Sequence, residues 1–352
     1  MKILQVTESF GGGVYSFLID LCNDLAKDHD VTVVYSNRKE TPKKFINDFD
    51  PNIHFIYLNM GINKSIYSIL KLVKIIKKIK PDVIHLHSSK AGFVGRIATK
   101  ICGYKGKVYY NPHGLAYLRK DIPKVVRLIL FFVEKIMSNL CELVIGVSKS
   151  EKNEIQRFTK NTIYINNGIN INRFQREISN IKVKNVGNSK IKIGTVGRVE
   201  YQKNPGLFND IAKKFPGLDF IWIGDGSLVH KLSSNNVYCT GWLDRKEVIK
   251  KLMEIDIYIQ TSLWEGLPIS VIEAMYLEKP IIVSNSIGNV DLVSPSLNGF
   301  VFNDLNEACL HISNLIKSKA LIIKMGKKSK EIVCEKFNIE DTIKNYKKIY
   351  FE

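Results

Sequence analysis

The chain has 352 residues, 45% of them hydrophobic and 10% aromatic, with a formal net charge of +18. That size and composition fit a soluble globular α/β protein with two domains, and no apolar run reaches the roughly 18–20 residues of a membrane span. The six cysteines (22, 102, 141, 239, 309, 334) form no Cys-x-x-Cys pair, which excludes a disulfide framework or zinc ribbon and favours reduced thiols.

Met1-Lys2 leads straight into an apolar first strand near 2–7, so no secretory leader is expected. Phe10-Gly-Gly-Gly-Val14 then opens a helix near 14–28. It is neither a Walker loop nor Gly-x-Gly-x-x-Gly; its glycines, Gly12 and Gly13 among them, suit close approach of backbone to a charged group at a helix start. Strands follow near 31–36 and 53–57. Between them Asp48-Phe-Asp50 imitates a metal-binding Asp-x-Asp, but it precedes Pro51 in a polar loop and reads as solvated acids. A helix near 64–79 places Lys71, Lys74 and Lys78 on one face and Ile66, Ile69, Leu70 and Val73 on the other.

The strand near 82–87 carries His85 and His87 on one face. A metal pair there lacks further ligands at a diagnostic spacing. His87-Ser-Ser-Lys90 follows, then a helix near 92–102 and a strand near 107–111 that ends in His113-Gly114. Helix 122–139, strand 143–147, helix 149–157, strand 162–166 and the turn Asn166-Asn-Gly-Ile-Asn170 complete the first half. A polar, apolar-poor stretch, 176–189, reads as a linker.

The alternation restarts at Ile191-Lys-Ile-Gly-Thr-Val196 and continues through 220–223, 237–239, 255–259, 281–283 and 300–302. Strands alternating with helices throughout indicate parallel, doubly wound sheets. Gly197-Arg198 with Lys203 puts two cations of different geometry after the first strand of this half, as a diphosphate requires. Gly224-Asp225-Gly226 makes another strand-end turn. The strand near 255–259 runs into Ser262-Leu-Trp-Glu-Gly-Leu-Pro-Ile-Ser-Val-Ile-Glu-Ala-Met275. Glu265 falls in the strand-to-helix turn, Pro268 suits the first helical turn, and Glu273 lies further along that helix. Ligands bind at this corner of an open α/β sheet, with helix-start amides for an anion and carboxylates for sugar hydroxyls.

The Ser262–Met275 wording resembles the donor motif of retaining GT-B glycosyltransferases of group 1, family 4, and His85-Leu-His-Ser-Ser-Lys-Ala-Gly92 with Arg96 resembles the form found in family members that build bacterial surface polysaccharides. The resemblance implies two Rossmann-like domains facing across a cleft. Residues 1–175 would be the acceptor side, joined by a crossing helix at 339–352, and 190–335 would bind the nucleotide-sugar donor. It implies that Glu265 meets the donor sugar, with Gly266, Leu267 and Pro268 beside it, and that Glu273 holds the ribose. Arg198 and Lys203 would bind the donor phosphates, with Gly12 and Gly13 near the pyrophosphate and Asp225 on the nucleotide side. His113 would hydrogen-bond the transferred sugar, and His87, Ser88 and Lys90 would line the acceptor side. The family usually has an acid where Asn170 stands. The implied mechanism is front-side attack with no metal and no cofactor.

Residues 1–175 hold 27 Lys+Arg against 14 Asp+Glu, or +13, while 176–352 hold 25 against 20, or +5. A basic half suits an anionic partner: nucleic acid, an acidic sugar or the inner leaflet of a membrane. The resemblance implies a lipid-linked glycan acceptor, so the chain is expected in the cytoplasm, peripheral on the inner face of the cell membrane. Lysine-rich background composition explains the same charge. A nucleotide-sugar epimerase of the same shape is the nearest alternative. A nucleic-acid-binding protein has charge as its only support, without a recognisable binding module, so no nucleic acid is expected.

Overall fold

A computed structural model describes residues 1–38, 40–181 and 190–352. The chain divides into two compact units. One comprises residues 1–118, 122–167 and 340–352; the other comprises 168–339 with the short segment 119–121.

Among its described residues the first unit has seven strands: β1 (Lys2–Thr7), β2 (Asp30–Tyr35), β3 (His54–Tyr57), β4 (Val83–His87), β5 (Lys107–Asn111), β6 (Leu143–Gly146) and β7 (Thr162–Tyr164). All pair in parallel, in the order β3-β2-β1-β4-β5-β6-β7. Parallel strands are covered on both faces and so read as apolar runs; every residue of β4 and all but the first of β1 are buried. Its helices are α1 (Gly12–Leu25), α2 (Ser65–Ile79), α3 (Ser89–Ile101), α4 (Lys124–Met137) and α5 (Lys149–Ile155). One core joins Leu4, Val6, Leu72, Ile84, Leu86 and Tyr110.

The second unit opens with α6 (Ile171–Ser179). Among its described residues six parallel strands follow: β8 (Lys192–Val196), β9 (Asp219–Ile223), β10 (Val237–Cys239), β11 (Ile257–Gln260), β12 (Ile281–Ser284) and β13 (Gly299–Phe302), in the order β10-β9-β8-β11-β12-β13. Around them lie α7 (Pro205–Lys214), α8 (Arg245–Glu254), α9 (Ile269–Tyr276), α10 (Leu305–Ile316) and α11 (Lys319–Lys336). The last helix, α12 (Ile339–Phe351), belongs from Glu340 onward to the first unit. It is fastened there by buried Tyr346 and Tyr350, by Tyr109 Oη donating to the Ile349 carbonyl at 2.5 Å, and by Lys347 on Asp24 at 2.5 Å. In both sheets the order reverses beside the first strand, β1 against β4 and β8 against β11, which creates the switch point where α/β sheets take ligands.

Three expectations need correction. The unit boundary falls at 167/168, and 176–179, the start of the expected linker, is the end of α6, a helix that Asn170 caps by accepting from the Arg173 amide at 2.9 Å. The rest of the expected linker, 182–189, lies outside the described residues. Pro268 is the residue that caps α9 rather than its first turn, a one-residue shift. On α2 the buried stripe is Ile69, Leu72, Val73 and Ile76, whereas Ile66 and Leu70 stand out in solvent at 77% and 54% exposure. Their positions fall on the flank of that stripe, not within it.

α4 is turned the other way from an ordinary surface helix. Its inward face carries Glu134, whose carboxylate takes Arg96 Nη2 at 2.9 Å and Tyr110 Oη at 3.0 Å, with the Arg96 guanidinium 4.1 Å from the Tyr110 ring centre. Arg96, read beside the acceptor segment, is thus a fully buried packing residue. The outward face carries Val125, Leu128, Ile129, Phe132 and Ile136, all exposed, with Lys124 and Lys135 beside them.

Candidate active site

In the second unit the loops after β8, β9 and β11 converge. Gly197 follows β8; its carbonyl accepts from Trp222 Nε1 at 2.8 Å. Gly224, at φ +142°, lies so close that a Cβ there would sit 2.2 Å from the Gly197 oxygen, so no side chain fits. Lys203 lies at the end of the following turn. Its Nζ meets Glu265 Oε1 at 2.7 Å, and the same oxygen accepts from Gln260 Nε2 at 3.1 Å. Gln202 donates to the Trp264 carbonyl at 2.9 Å and reaches Glu265 Oε2 at 3.4 Å. Thr261 Oγ1 donates to the Lys203 carbonyl at 2.7 Å and ties the two loops together. Glu265, Gly266, Leu267 and Pro268 are all buried, and a Cβ on Gly288 would lie 2.2 Å from the Gly266 carbonyl.

Glu273 is buried on α9, where Oε1 takes Arg245 Nη2 at 2.7 Å. Arg245, at the start of α8, also meets Glu177 of α6 at 3.1 Å and stacks over Phe174 at 5.2 Å. The Arg245 side chain stays 46% exposed, and the partial desolvation of its guanidinium is outweighed by Glu273 and Glu177, which raise its pKa. Sequence reading missed Arg245, Gln202 and Gln260. Arg198 is exposed beside this cluster in the chain, and Asp225 accepts its own turn's Gly226 amide at 2.8 Å. No side chain caps α9.

In the first unit, α1 also starts without a side-chain cap, and Gly12 (φ +55°) and Gly13 are exposed. Such a helix start offers backbone N–H groups to an anion. His113 sits after β5 at φ +50°, a left-handed conformation that costs a non-glycine residue energy. Buried Glu151 holds the turn, accepting from the Gly114 amide and the Val147 amide, each at 2.7 Å. His113 Nε2 lies 3.1 Å from His87 Nδ1. Burial pushes His85 and His113 down to about 3 and holds His87 well below its ordinary value, so all three rings are neutral near pH 7.

His87 is fully buried with both ring nitrogens engaged, the second on Gln5 Oε1 at 2.7 Å. It therefore supports His113 and cannot itself line an acceptor surface. Ser88 stands at φ +76°, and its buried Oγ has no partner among the described residues. Lys90 pairs with Glu8 at 3.8 Å, and Arg38 meets the same carboxylate at 2.5 Å. Asp48 is held by Tyr15 Oη at 2.5 Å, and Asp50 closes its own turn on the Asn52 amide. Among the described residues no three His, Cys, Asp or Glu side chains converge as a metal site, and no helix is long and apolar enough to cross a membrane.

Residues 11–173 match the family model for Glycosyltransferase Family 4, and residues 177–332 match that for Glycosyl transferases group 1. An Escherichia coli UDP-Gal:alpha-D-GlcNAc-diphosphoundecaprenol alpha-1,3-galactosyltransferase is 30% identical over 84% of this chain and 81% of its own length. A Campylobacter jejuni alpha-1,4-N-acetyl-D-galactosaminyltransferase, named for a diNAcBac-PP-undecaprenol-linked substrate, is 26% identical over 100% of this chain and 99% of its own. Among solved structures, Anabaena HepE in complex with UDP superposes with a TM-score of 0.80 over 99% of each chain at 19% identity, a likeness of fold.

Proposed function

We propose, from the premise that the chain belongs to the group 1, family 4 glycosyltransferases of GT-B fold, that it is a retaining hexosyltransferase. The donor would be a UDP-sugar and the acceptor a growing, lipid-linked bacterial surface polysaccharide. The observation that carries this reading is the pair of half-buried Lys203 with buried Glu265 at the carboxyl end of β11, beside an uncapped helix start. A cation, a carboxylate and helix-start amides together suit a sugar bearing a phosphate.

In this reading Arg198 and Lys203 stabilise the negative charge that develops on the leaving diphosphate. Glu273 accepts the ribose hydroxyls, while Glu265 orients the sugar. Asp225, Gly12 and Gly13 complete the nucleotide and phosphate contacts, and Ser88 and Lys90 belong to the acceptor side. Glu265 is occupied by Lys203 and Gln260, which suits a hydrogen-bond acceptor better than a nucleophile. The acceptor hydroxyl then attacks the anomeric carbon from the face the diphosphate leaves. With two cations at the phosphates, the reaction proceeds without a divalent metal. Both curated relatives described above carry diphosphoundecaprenol or PP-undecaprenol in their names, which supports a lipid-linked acceptor.

The same reading places the enzyme peripherally on the cytoplasmic face of the membrane. Two surfaces of the first unit suit an anionic leaflet: the lysines of α2 beside exposed Ile66 and Leu70, and the outward apolar face of α4. The test of the donor assignment is thermal stabilisation by a panel of nucleotide sugars. UDP-sugars are expected to raise the melting temperature, and stabilisation by GDP- or ADP-sugars alone would contradict the assignment.

A further inference from the structure

A buried hydrogen-bond chain in the first unit runs from a main-chain carbonyl to His113, and its proton order has no free choice. Asn111 Nδ2 lies 2.8 Å from the Ile145 carbonyl. A carbonyl only accepts, so the amide nitrogen faces Ile145 and Oδ1 faces away. That oxygen must accept, from Tyr346 Oη at 3.2 Å and from His85 Nε2 at 2.5 Å. His85 is neutral, so with Nε2 protonated its Nδ1 is bare and takes the Tyr350 proton at 2.5 Å.

That uses the single proton of Tyr350. Its oxygen can now only accept, so Gln5 turns its Nε2 toward it at 3.4 Å. Gln5 Oε1 then faces His87 Nε2 at 2.7 Å, and His87 must donate there. The other nitrogen of this neutral ring, Nδ1, is left bare. It accepts from His113 Nε2 at 3.1 Å. His113 therefore carries its one proton on Nε2, and its Nδ1 has no partner among the described residues.

We infer that Gln5, His87 and Tyr350 are positioning residues that fix the tautomer of His113, so that His113 offers substrate a hydrogen-bond acceptor and never a donor. The specificity that follows is for a group that donates: a sugar hydroxyl is held at Nδ1, whereas fluorine or hydrogen at that carbon is not. This consequence rests on the proposed reading that His113 meets the transferred sugar. The tautomer assignment does not.

The test is long-range proton–nitrogen correlation NMR on the full chain with 15N-labelled histidine, without donor. His113 is expected to show a protonated Nε2 and a bare Nδ1. Tyr350→Phe removes the proton that His85 receives and the acceptor that orients Gln5, so His113 should become a mixture of tautomers. Tyr346→Phe is the control. It also removes a buried hydroxyl from α12 and from this network, but Asn111 stays oriented by Ile145, so His113 should keep one tautomer. In a transfer assay Tyr350→Phe should lose on the order of ten-fold in kcat, the low end of the scale for partners that orient metal-ligating histidines, and Tyr346→Phe much less. A wild-type His113 protonated on Nδ1, or a Tyr350→Phe spectrum that still shows one tautomer, overturns the inference. Saturating UDP-glucose or UDP-galactose is then added. A shift at His113 Nδ1 is expected with a bound donor, and its absence overturns the placement of His113 at the sugar while the tautomer result stands separately.

Discussion

Lys203 Nζ lies 2.7 Å from Glu265 Oε1. The sequence reading assigned these residues to different parts of the donor, the cation to the diphosphate and the carboxylate to the sugar. Their contact means that each orients the other, and that a change in one is felt at both places.

Lys203→Ala should therefore lower turnover by about 100-fold or more, the scale of one lost charge-stabilising group, near 3 kcal/mol. It should also lower the melting temperature, because Glu265 is left buried without its cation. Arg198→Ala should lower turnover on a similar scale with little change in melting, since Arg198 is exposed. Turnover and melting measured on both variants check this. Near-wild-type turnover in either removes that residue from the phosphate site.

Glu273→Gln should weaken UDP binding by about 1–3 kcal/mol, the range for hydrogen bonds to a charged group. Calorimetry with UDP, GDP and ADP reads the effect directly. Arg245→Ala separates the two roles of Glu273. If the carboxylate only anchored Arg245, both variants would lose stability alike and neither would lose nucleotide affinity.

The buried histidines predict acid sensitivity. His85 titrates at about 3 in the folded chain against an ordinary 6.5, and His87 is lowered as well. Below pH 6.5 the unfolded chain takes up protons that the folded chain does not. Stability is thus full above about 6.5 and falls toward pH 3, by about 1.4 kcal/mol per pH unit for each such histidine. Urea unfolding between pH 7.5 and 4.5 should show this fall, and His85→Asn should make it shallower. A flat profile would place the histidines outside the core.

Membrane attachment should be salt-releasable, with each lysine near an anionic surface contributing about 1 kcal/mol. Changing Lys71, Lys74, Lys77 and Lys78 to glutamine should weaken co-sedimentation with anionic vesicles. Ile129→Glu with Phe132→Glu on α4 should weaken it independently. If wild type ignores anionic vesicles at low salt, the charge of the first half is compositional background.

Much of the fold was legible because buried parallel strands read as apolar runs, and the strand-to-helix corner at 262–275 carries its chemistry in consecutive residues. The conformation of His113 and the reach of Gln5, Tyr346 and Tyr350 were not, because their partners lie up to 345 residues apart in the chain. Arg245 was missed for the same reason: Glu177 and Glu273 meet it from opposite directions along the sequence. The end of α6, 176–179, was read as linker because its polarity masked the helix that the Asn170 cap begins. On α2, hydrophobic period alone could not say that Ile66 and Leu70 stand in solvent.

The most direct test is transfer itself, read by the configuration of the product. The purified chain is incubated with α-linked UDP-galactose, UDP-glucose or UDP-N-acetylhexosamines and a synthetic undecaprenyl-diphosphate glycan, with and without EDTA. The new glycosidic bond is assigned by NMR. The account predicts an α-linked product from at least one of these donors, formed equally well in EDTA. A β-linked product, activity that EDTA abolishes and manganese restores, or accumulation of an epimerised nucleotide sugar without transfer would contradict it.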